Sequence, residues 1–336
     1  MSTVTTPKRR LEQLSGQIAQ PPIIDEGTYK GMPRVARRAG DSVGHPPGRE
    51  RWGTGLTKEE YARRTQGKVV IITGCNSPLG MGRATAHQFA RNGARAVYIC
   101  DYMDDYLNLH VEEMNELYPK VAVHARKFDA GDEAGVKAVV AHALETYGRL
   151  DVFFANAANS GTWKEVWDIE VEEFERTIRT NLTSVFLAIK HAGPAMQVTS
   201  KDKPYSSGSI IATSSTAGLR SNGGSTDYSA AKSAVVNLVQ TACFQYAGRN
   251  IRCNAIAPGM THSGMTEPVF YGPARERGTL HKVGQLCPLR RGAVADEIAR
   301  VALFLGSDEA SYVNGQVWAV DGGLSSGLPY KLGSMA

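Results

Sequence analysis

A chain of 336 residues, 42% hydrophobic and 21% charged, can bury a substantial core as one large domain or two ordinary ones. No apolar run approaches the ~18 residues of a membrane span. Five scattered cysteines (Cys75, Cys100, Cys243, Cys253, Cys287) form no C-x-x-C pair, which argues against a disulfide framework or a thiolate zinc site and favours a reducing, cytoplasmic interior. The net charge of +5 lies wholly in residues 1–66, where 12 Lys/Arg face 7 Asp/Glu; residues 67–336 hold 26 of each, so the body has no basic footprint for nucleic acid.

Residues 1–56, with Pro21-Pro22, Pro46-Pro47 and no sustained apolar period, read as a basic extension, mostly disordered or loosely docked. This segment has no apolar secretion core, and Glu12, Asp25 and Glu26 weaken a mitochondrial reading. Thr57 and Glu60 in "TKEEYARR" have capping-box spacing, predicting a short lead-in helix over 57–66. From there the pattern alternates. Strand-like apolar runs occupy 68–73, 96–100, 121–125, 151–155, 208–213, 251–256 and 316–320, with helical stretches near 82–92, 105–117, 132–147, 171–198, 228–247 and 294–306. Continuous apolar strands alternating with helices predict an α/β fold, a Rossmann-like doubly wound parallel sheet in one domain over 67–325, with a short tail at 326–336.

The first strand runs into "TGCNSPLGMG", residues 73–82, and then a helical stretch stopped at Gly93. Strand, glycine loop and helix in that order aim helix-terminal N–H groups at a phosphate. Gly74 makes the turn out of the strand. Gly80 and Gly82, with Met81 between them, stand at the helix start, Pro78 stiffens the arch, and Asn76 and Ser77 offer side-chain hydrogen bonds to phosphate or ribose. The second strand ends at Asp101, 27 residues beyond Gly74, where a carboxylate accepts ribose hydroxyls and repels a 2′-phosphate. NAD is therefore expected over NADP.

In "DYSAAKSAVVNLVQ", Tyr228 and Lys232 are four apart on a helical pattern and share a face. An ammonium beside a phenol lowers a pKa of ~10 toward neutrality, creating an acid–base group. Ser214 and Ser215 end the strand "GSIIATSS", at the crevice where doubly wound folds bind ligands, and either hydroxyl could polarise a carbonyl.

Taken together, the glycine loop, "FFANAA", "NLTSVF", Ser215, "YSAAK", "NAIAPG" and "SYVNGQVWAVDGG" make the chain resemble the short-chain dehydrogenase/reductases over roughly 67–325. The resemblance implies that Tyr228 exchanges the proton of the substrate oxygen, Lys232 lowers the tyrosine pKa and holds the nicotinamide ribose, and Ser215 rather than Ser214 hydrogen-bonds that oxygen. Asn181 would fix a water leading from Lys232 to solvent. Asp129 with Ala130 would cap the adenine, and Asn156 with Ala157 would lie beneath the cofactor. Pro258-Gly259 would shape the turn under the nicotinamide, with Ser263 bonding its carboxamide. Three departures stand out. The glycine loop is two residues longer than T-G-x-x-x-G-x-G, Ala158 replaces the glycine of "NAG", and the N-terminal extension is additional.

Residues 260–290 occupy the position of the family's substrate lid; Met260, Met265, Phe270 and Tyr271 suggest an apolar wall, with Leu219 on the opposite side. Arg275, Arg277 and His281 read as a solvated lid face, His262 as a loop residue, and no histidine spacing suggests a metal. The resulting expectation is an NAD(H)-dependent enzyme interconverting a secondary alcohol and a ketone, a homodimer or homotetramer with no nucleic-acid or membrane partner. Two alternatives are a nucleotide-sensing regulator without turnover and an NAD-dependent dehydratase or epimerase.

Overall fold

The computed structural model describes residues 64–327. The extension 1–56, residues 57–63 of the expected lead-in helix and the tail from 328 lie outside the described residues; residues 64–67 form a turn.

All seven expected strands join one parallel sheet: β1 (Val69–Thr73), β2 (Ala96–Asp101), β3 (Ala122–Lys127), β4 (Val152–Ala155), β5 (Gly208–Thr213), β6 (Ile251–Pro258) and β9 (Val317–Val320), in the order β3-β2-β1-β4-β5-β6-β9. Strand order reverses at β1, which pairs with β2 through Thr73↔Cys100 and with β4 through Ile72↔Phe154. Doubly wound sheets bind ligands in the crevice above such a reversal. The apolar runs are continuous because helices cover both faces, so every side chain of "VVIIT" is buried.

On one face α1 (Met81–Arg91), α2 (Leu107–Leu117) and α8 (Ala295–Gly306) close a core around Val70, Ile72, Phe89, Ile99, Phe154 and Ile298. On the other, α3 (Glu133–Tyr147), α5 (Ser184–Met196) and α6 (Thr226–Gln245) cover Ile71, Tyr98, Phe153, Ile210, Val235 and Cys253. Helix α3 starts on the Asp132 side chain, which accepts the Gly135 N–H, and stops at Gly148 in the left-handed region.

The expected continuous helix over 171–198 is instead α4 (Val171–Ile178), a π turn (Arg179–Thr183) and α5. Such single π turns cluster at functional sites. Residues 260–290 begin at a two-residue strand β7 (Thr261–His262) that pairs with β8 (Ala293–Val294), so this excursion is anchored at its base. Within it lie a second π turn (Glu267–Tyr271) and the short α7 (Gly272–Glu276). Among the described residues no helix is long and apolar enough to cross a membrane, no group of three or more His, Cys, Asp or Glu could hold a metal ion, and all five cysteines are free.

Candidate active site

The glycine loop absorbs its two additional residues by pinning Asn76 to the turn after β2. The Asn76 N–H donates to Asp101 Oδ2 at 2.8 Å and its carboxamide oxygen accepts the Tyr106 N–H at 2.8 Å. Its amide reaches Asp105 at 3.3 Å, and its carbonyl meets His110 Nε2 at 2.9 Å. Arg83 Nε donates to His110 Nδ1 at 3.3 Å, which fixes the proton of that buried ring on Nε2. Burial and the Arg83 charge push His110 down, whereas its bond to Asn76 opposes them.

Beyond Asn76 the chain turns through Ser77 to Leu79, closed by Gly80 N–H to Ser77 O at 2.8 Å. Helix α1 then begins with no side-chain cap and no acid in its first turn, leaving its N-terminal N–H groups and positive dipole end open to an anion. A Cβ on Gly82 would lie 2.3 Å from the Gly74 carbonyl oxygen, so only glycine lets α1 approach β1 this closely.

Beside this loop a cavity of about 560 Å³ is lined by Thr73, Gly74, Asp101, Asp129, Ala130, Ala157 and Ala158 among others. Asp101 is half-buried there, its second oxygen accepting the Met103 N–H. Asp129 accepts the Gly131 N–H at 2.8 Å and lies 3.5 Å from Arg179. Asn156 ties three strands: its amide donates to Thr73 O at 3.0 Å and its oxygen accepts Thr213 Oγ1 at 3.0 Å. An uncapped helix end, a glycine cradle and a carboxylate-walled cavity are the features a dinucleotide needs, and the residues fit one.

Helix α6 begins at Thr226, two residues earlier than expected, so Tyr228 sits in its first turn and Lys232 one turn on. The Ser215 hydroxyl accepts the Ala217 N–H at 3.1 Å and lowers the Tyr228 phenol. Ser214 is committed elsewhere: its hydroxyl donates to the Lys232 carbonyl at 2.9 Å. Of the two serines, Ser215 is the one brought to the tyrosine. Lys232 is fully buried, donates to the Thr213 carbonyl at 2.8 Å and lies 5.6 Å from the Tyr228 ring centre. Burial raises the phenol, against a lowering by Ser215, and depresses the Lys232 ammonium to about 7.

Asn181 occupies the π turn, its amide donating to Asn159 Oδ1 at 2.9 Å and to the Thr177 carbonyl at 3.1 Å. Two carbonyl-type acceptors at that atom fix the orientation of the carboxamide. Its buried Oδ1 is left without a partner. Pro258 ends β6, and the Gly259 N–H donates to Val320 O at 3.0 Å. Ser263 is buried, its N–H on Thr266 Oγ1.

Of the three expected substrate residues, Leu219 follows the short turn after Ser215 and Met265 is half-buried. Phe270 meets Trp163 edge to face at 5.5 Å and lines a mainly apolar cavity of about 470 Å³ beneath residues 260–290. Trp163, absent from the sequence expectations, stands in the left-handed region with φ 56°. An exposed tryptophan carries no periodic signal, and only the fold brings it to Phe270.

Residues 74–325 match the family model described as enoyl-(acyl carrier protein) reductase. A levodione reductase from Leifsonia aquatica is 36% identical over 261 residues, covering 77% of this chain and 94% of that protein. A 3-oxoacyl-(acyl-carrier-protein) reductase from Thermotoga maritima is 37% identical over 264 residues, covering 78% and 99%. The crystal structure of levodione reductase shares the fold with a TM-score of 0.70 at 35% identity, over 78% of this chain and 98% of that one. The chain, with its seven-stranded parallel sheet and this constellation at the sheet's carboxyl edge, belongs to the short-chain dehydrogenase/reductase family and is an oxidoreductase of a family that uses nicotinamide cofactors.

Proposed function

We propose that this protein interconverts a secondary alcohol and a ketone with NAD(H), using Tyr228 as acid and base. The observation that carries the reading is the cluster of Ser215, Tyr228 and Lys232, in which the fully buried Lys232 lies 5.6 Å from the ring centre of the half-buried Tyr228 and Ser215 lowers the phenol. A bound nicotinamide supplies the hydride in reduction and accepts it in oxidation. Ser215 and Tyr228 then hold the substrate oxygen, Tyr228 giving it a proton in one direction and taking it back in the other. Burial disfavours charge on the phenol and on the ammonium separately. A phenolate formed beside the Lys232 ammonium would be offset by it. Asn181, whose Oδ1 is buried and without a partner, would hold a water on the proton's route to solvent.

The dinucleotide would lie with its pyrophosphate at Gly80–Gly82 and its adenosine in the cavity beside Asp101, Asp129 and Ala130. Asp101 favours NAD because a 2′-phosphate would face its carboxylate. Residues 260–290 would form the lid, with Trp163, Phe270, Met265 and Leu219 as apolar walls suited to a bulky, largely hydrocarbon ketone. We further propose a homo-oligomer in the cytoplasm, joined through α5 and α6, which expose Phe186 and Phe244; sedimentation as a monomer would contradict this.

The experiment is a panel of ketones and secondary alcohols, followed by the absorbance of the reduced nicotinamide. At least one apolar ketone should be turned over, with kcat/KM at least tenfold higher for NADH than for NADPH. Binding of the cofactor without turnover of any member would favour a nucleotide-sensing regulator, and a preference for NADPH would overturn the assignment of Asp101.

A further inference from the structure

Tyr228, Asn181 and the loop after β4 sit on three separate segments, and one buried carboxylate joins all three. Asp227, immediately before Tyr228, has no exposed surface. It accepts the Thr177 hydroxyl of α4 at 2.7 Å and the Thr162 N–H of the loop at 3.1 Å. The carbonyl of the same Thr177 accepts the Asn181 amide, which also donates to Asn159 Oδ1. Asn159 Oδ1 in turn accepts the Gly161 N–H at 3.2 Å, one residue from Thr162. The bonds close a circuit from Asp227 through Thr177, Asn181, Asn159 and the loop back to Asp227.

The local backbone is shaped around that carboxylate. Gly161 has φ 73°, and a Cβ there would lie 2.2 Å from Ser225 Oγ and 2.6 Å from Asp227 Oδ1. No other residue type fits without moving the loop. Burial by itself raises the Asp227 carboxyl. Polar neighbours, among them the Thr177 hydroxyl and the Thr162 N–H that bond it, outweigh that and hold it below the ordinary carboxylate range. Among the described residues it forms no ion pair, so donors and the α6 N-terminus alone stabilise the anion. A buried charge costs several kcal/mol to desolvate, a large outlay for a residue that only caps a helix, since the neutral Ser225 beside it could do that.

We propose that Asp227 is a positioning residue for the reaction assigned above, on which this inference rests: through Thr177 it fixes the Asn181 carboxamide, and through Thr162 it fixes the loop bearing Asn159 and Trp163, in register with Tyr228. Both amide hydrogens of Asn181 are spent within the circuit, which leaves its Oδ1 as the free acceptor. The Thr177 hydroxyl is the direct link to Asp227 whose side chain can be changed without touching Asp227, Asn181 or Tyr228.

The test uses the full chain and the best ketone from the panel. Thr177→Val keeps the side-chain shape and removes the bond to Asp227. It should lower kcat at least tenfold while the NADH dissociation constant, read by nucleotide fluorescence, stays within twofold. Thr177→Ser, which restores the hydroxyl, should recover kcat to within threefold of wild type. Asp227→Asn should lower kcat comparably, and the double variant with Thr177→Val should be little worse than the poorer single, because both break one circuit. Should Asp227→Asn not fold, the Thr177 pair decides. The inference is overturned if wild type turns over and Thr177→Val keeps kcat within twofold, if serine does not restore it, or if NADH affinity falls in step with kcat. A wild type without ketone turnover would remove the assigned reaction itself, and this inference with it.

Discussion

Replacing Tyr228 by phenylalanine is expected to lower kcat for ketone reduction about 1000-fold, within the ~10²–10⁴ range of a positioned proton donor. NADH affinity should stay within twofold. The substitution removes one hydroxyl and leaves the ring in place against Gly224, where a Cβ would meet the ring's Cδ1 at 2.9 Å. The Lys232 bond to Thr213 does not involve the phenol and also survives. Stopped-flow kinetics with a parallel nucleotide titration reads both quantities. Residual turnover above a tenth of wild type would mean that another group supplies the proton, with Ser215 as the neighbour to examine.

Replacing Lys232 by methionine is expected to abolish turnover and to stabilise the fold. The sign follows from the buried ammonium. Its pKa is near 7 in the folded chain, against ~10.4 for an unfolded lysine. Between those values the unfolded state binds more protons, so stability rises with pH across roughly 7 to 10. The cost is fully present below pH 7 and gone above the unfolded pKa. Methionine fills a similar volume and carries no charge, so it removes a penalty on the order of a few kcal/mol at neutral pH. Thermal melts of both proteins at pH 7 and pH 9.5 check this. The variant should melt higher at pH 7, and the gap should narrow at pH 9.5. A variant that melts lower at pH 7 would mean that the lysine stabilises its site, as an ammonium already neutralised by a partner would.

These two residues were legible because their chemistry depends on spacing. Tyr228 and Lys232 lie one helical turn apart, and Ser215 follows a strand by two residues. The strands were equally legible, since a sheet covered on both faces must be written as unbroken apolar runs. The π turn at Arg179–Thr183 was not, because "RTNLT" holds no glycine or proline to interrupt a helical pattern. Nor was the role of Asn76: a loop asparagine reads as a ligand contact, whereas here its side chain is spent on Asp105 and Tyr106. That leaves the additional loop residues as a bracket between the glycine turn and the turn after β2. Asp227 was hidden by its position, since an acid in the first turn of a helix is ordinary. Its meaning lies in Thr177 and Thr162, 50 and 65 residues away in the chain.

Ser214 and Ser215 illustrate how the fold separates neighbours of identical chemistry. Both hydroxyls are buried at the end of β5. One bonds the carbonyl of Lys232, holding α6 against the strand, and the other lowers the Tyr228 phenol. Serine-to-alanine changes at the two positions would therefore act through different routes, one on helix placement and the other at the substrate oxygen.

The most direct test of the central claim is the fate of an isotope. With NADH deuterated at the transferring position of C4 and the accepted ketone in ordinary water, mass spectrometry should find one deuterium on the carbinol carbon of every alcohol formed. With unlabelled NADH in heavy water that carbon should carry none. A product without deuterium from the cofactor, or cofactor returned unchanged while the substrate is isomerised or dehydrated, would contradict it.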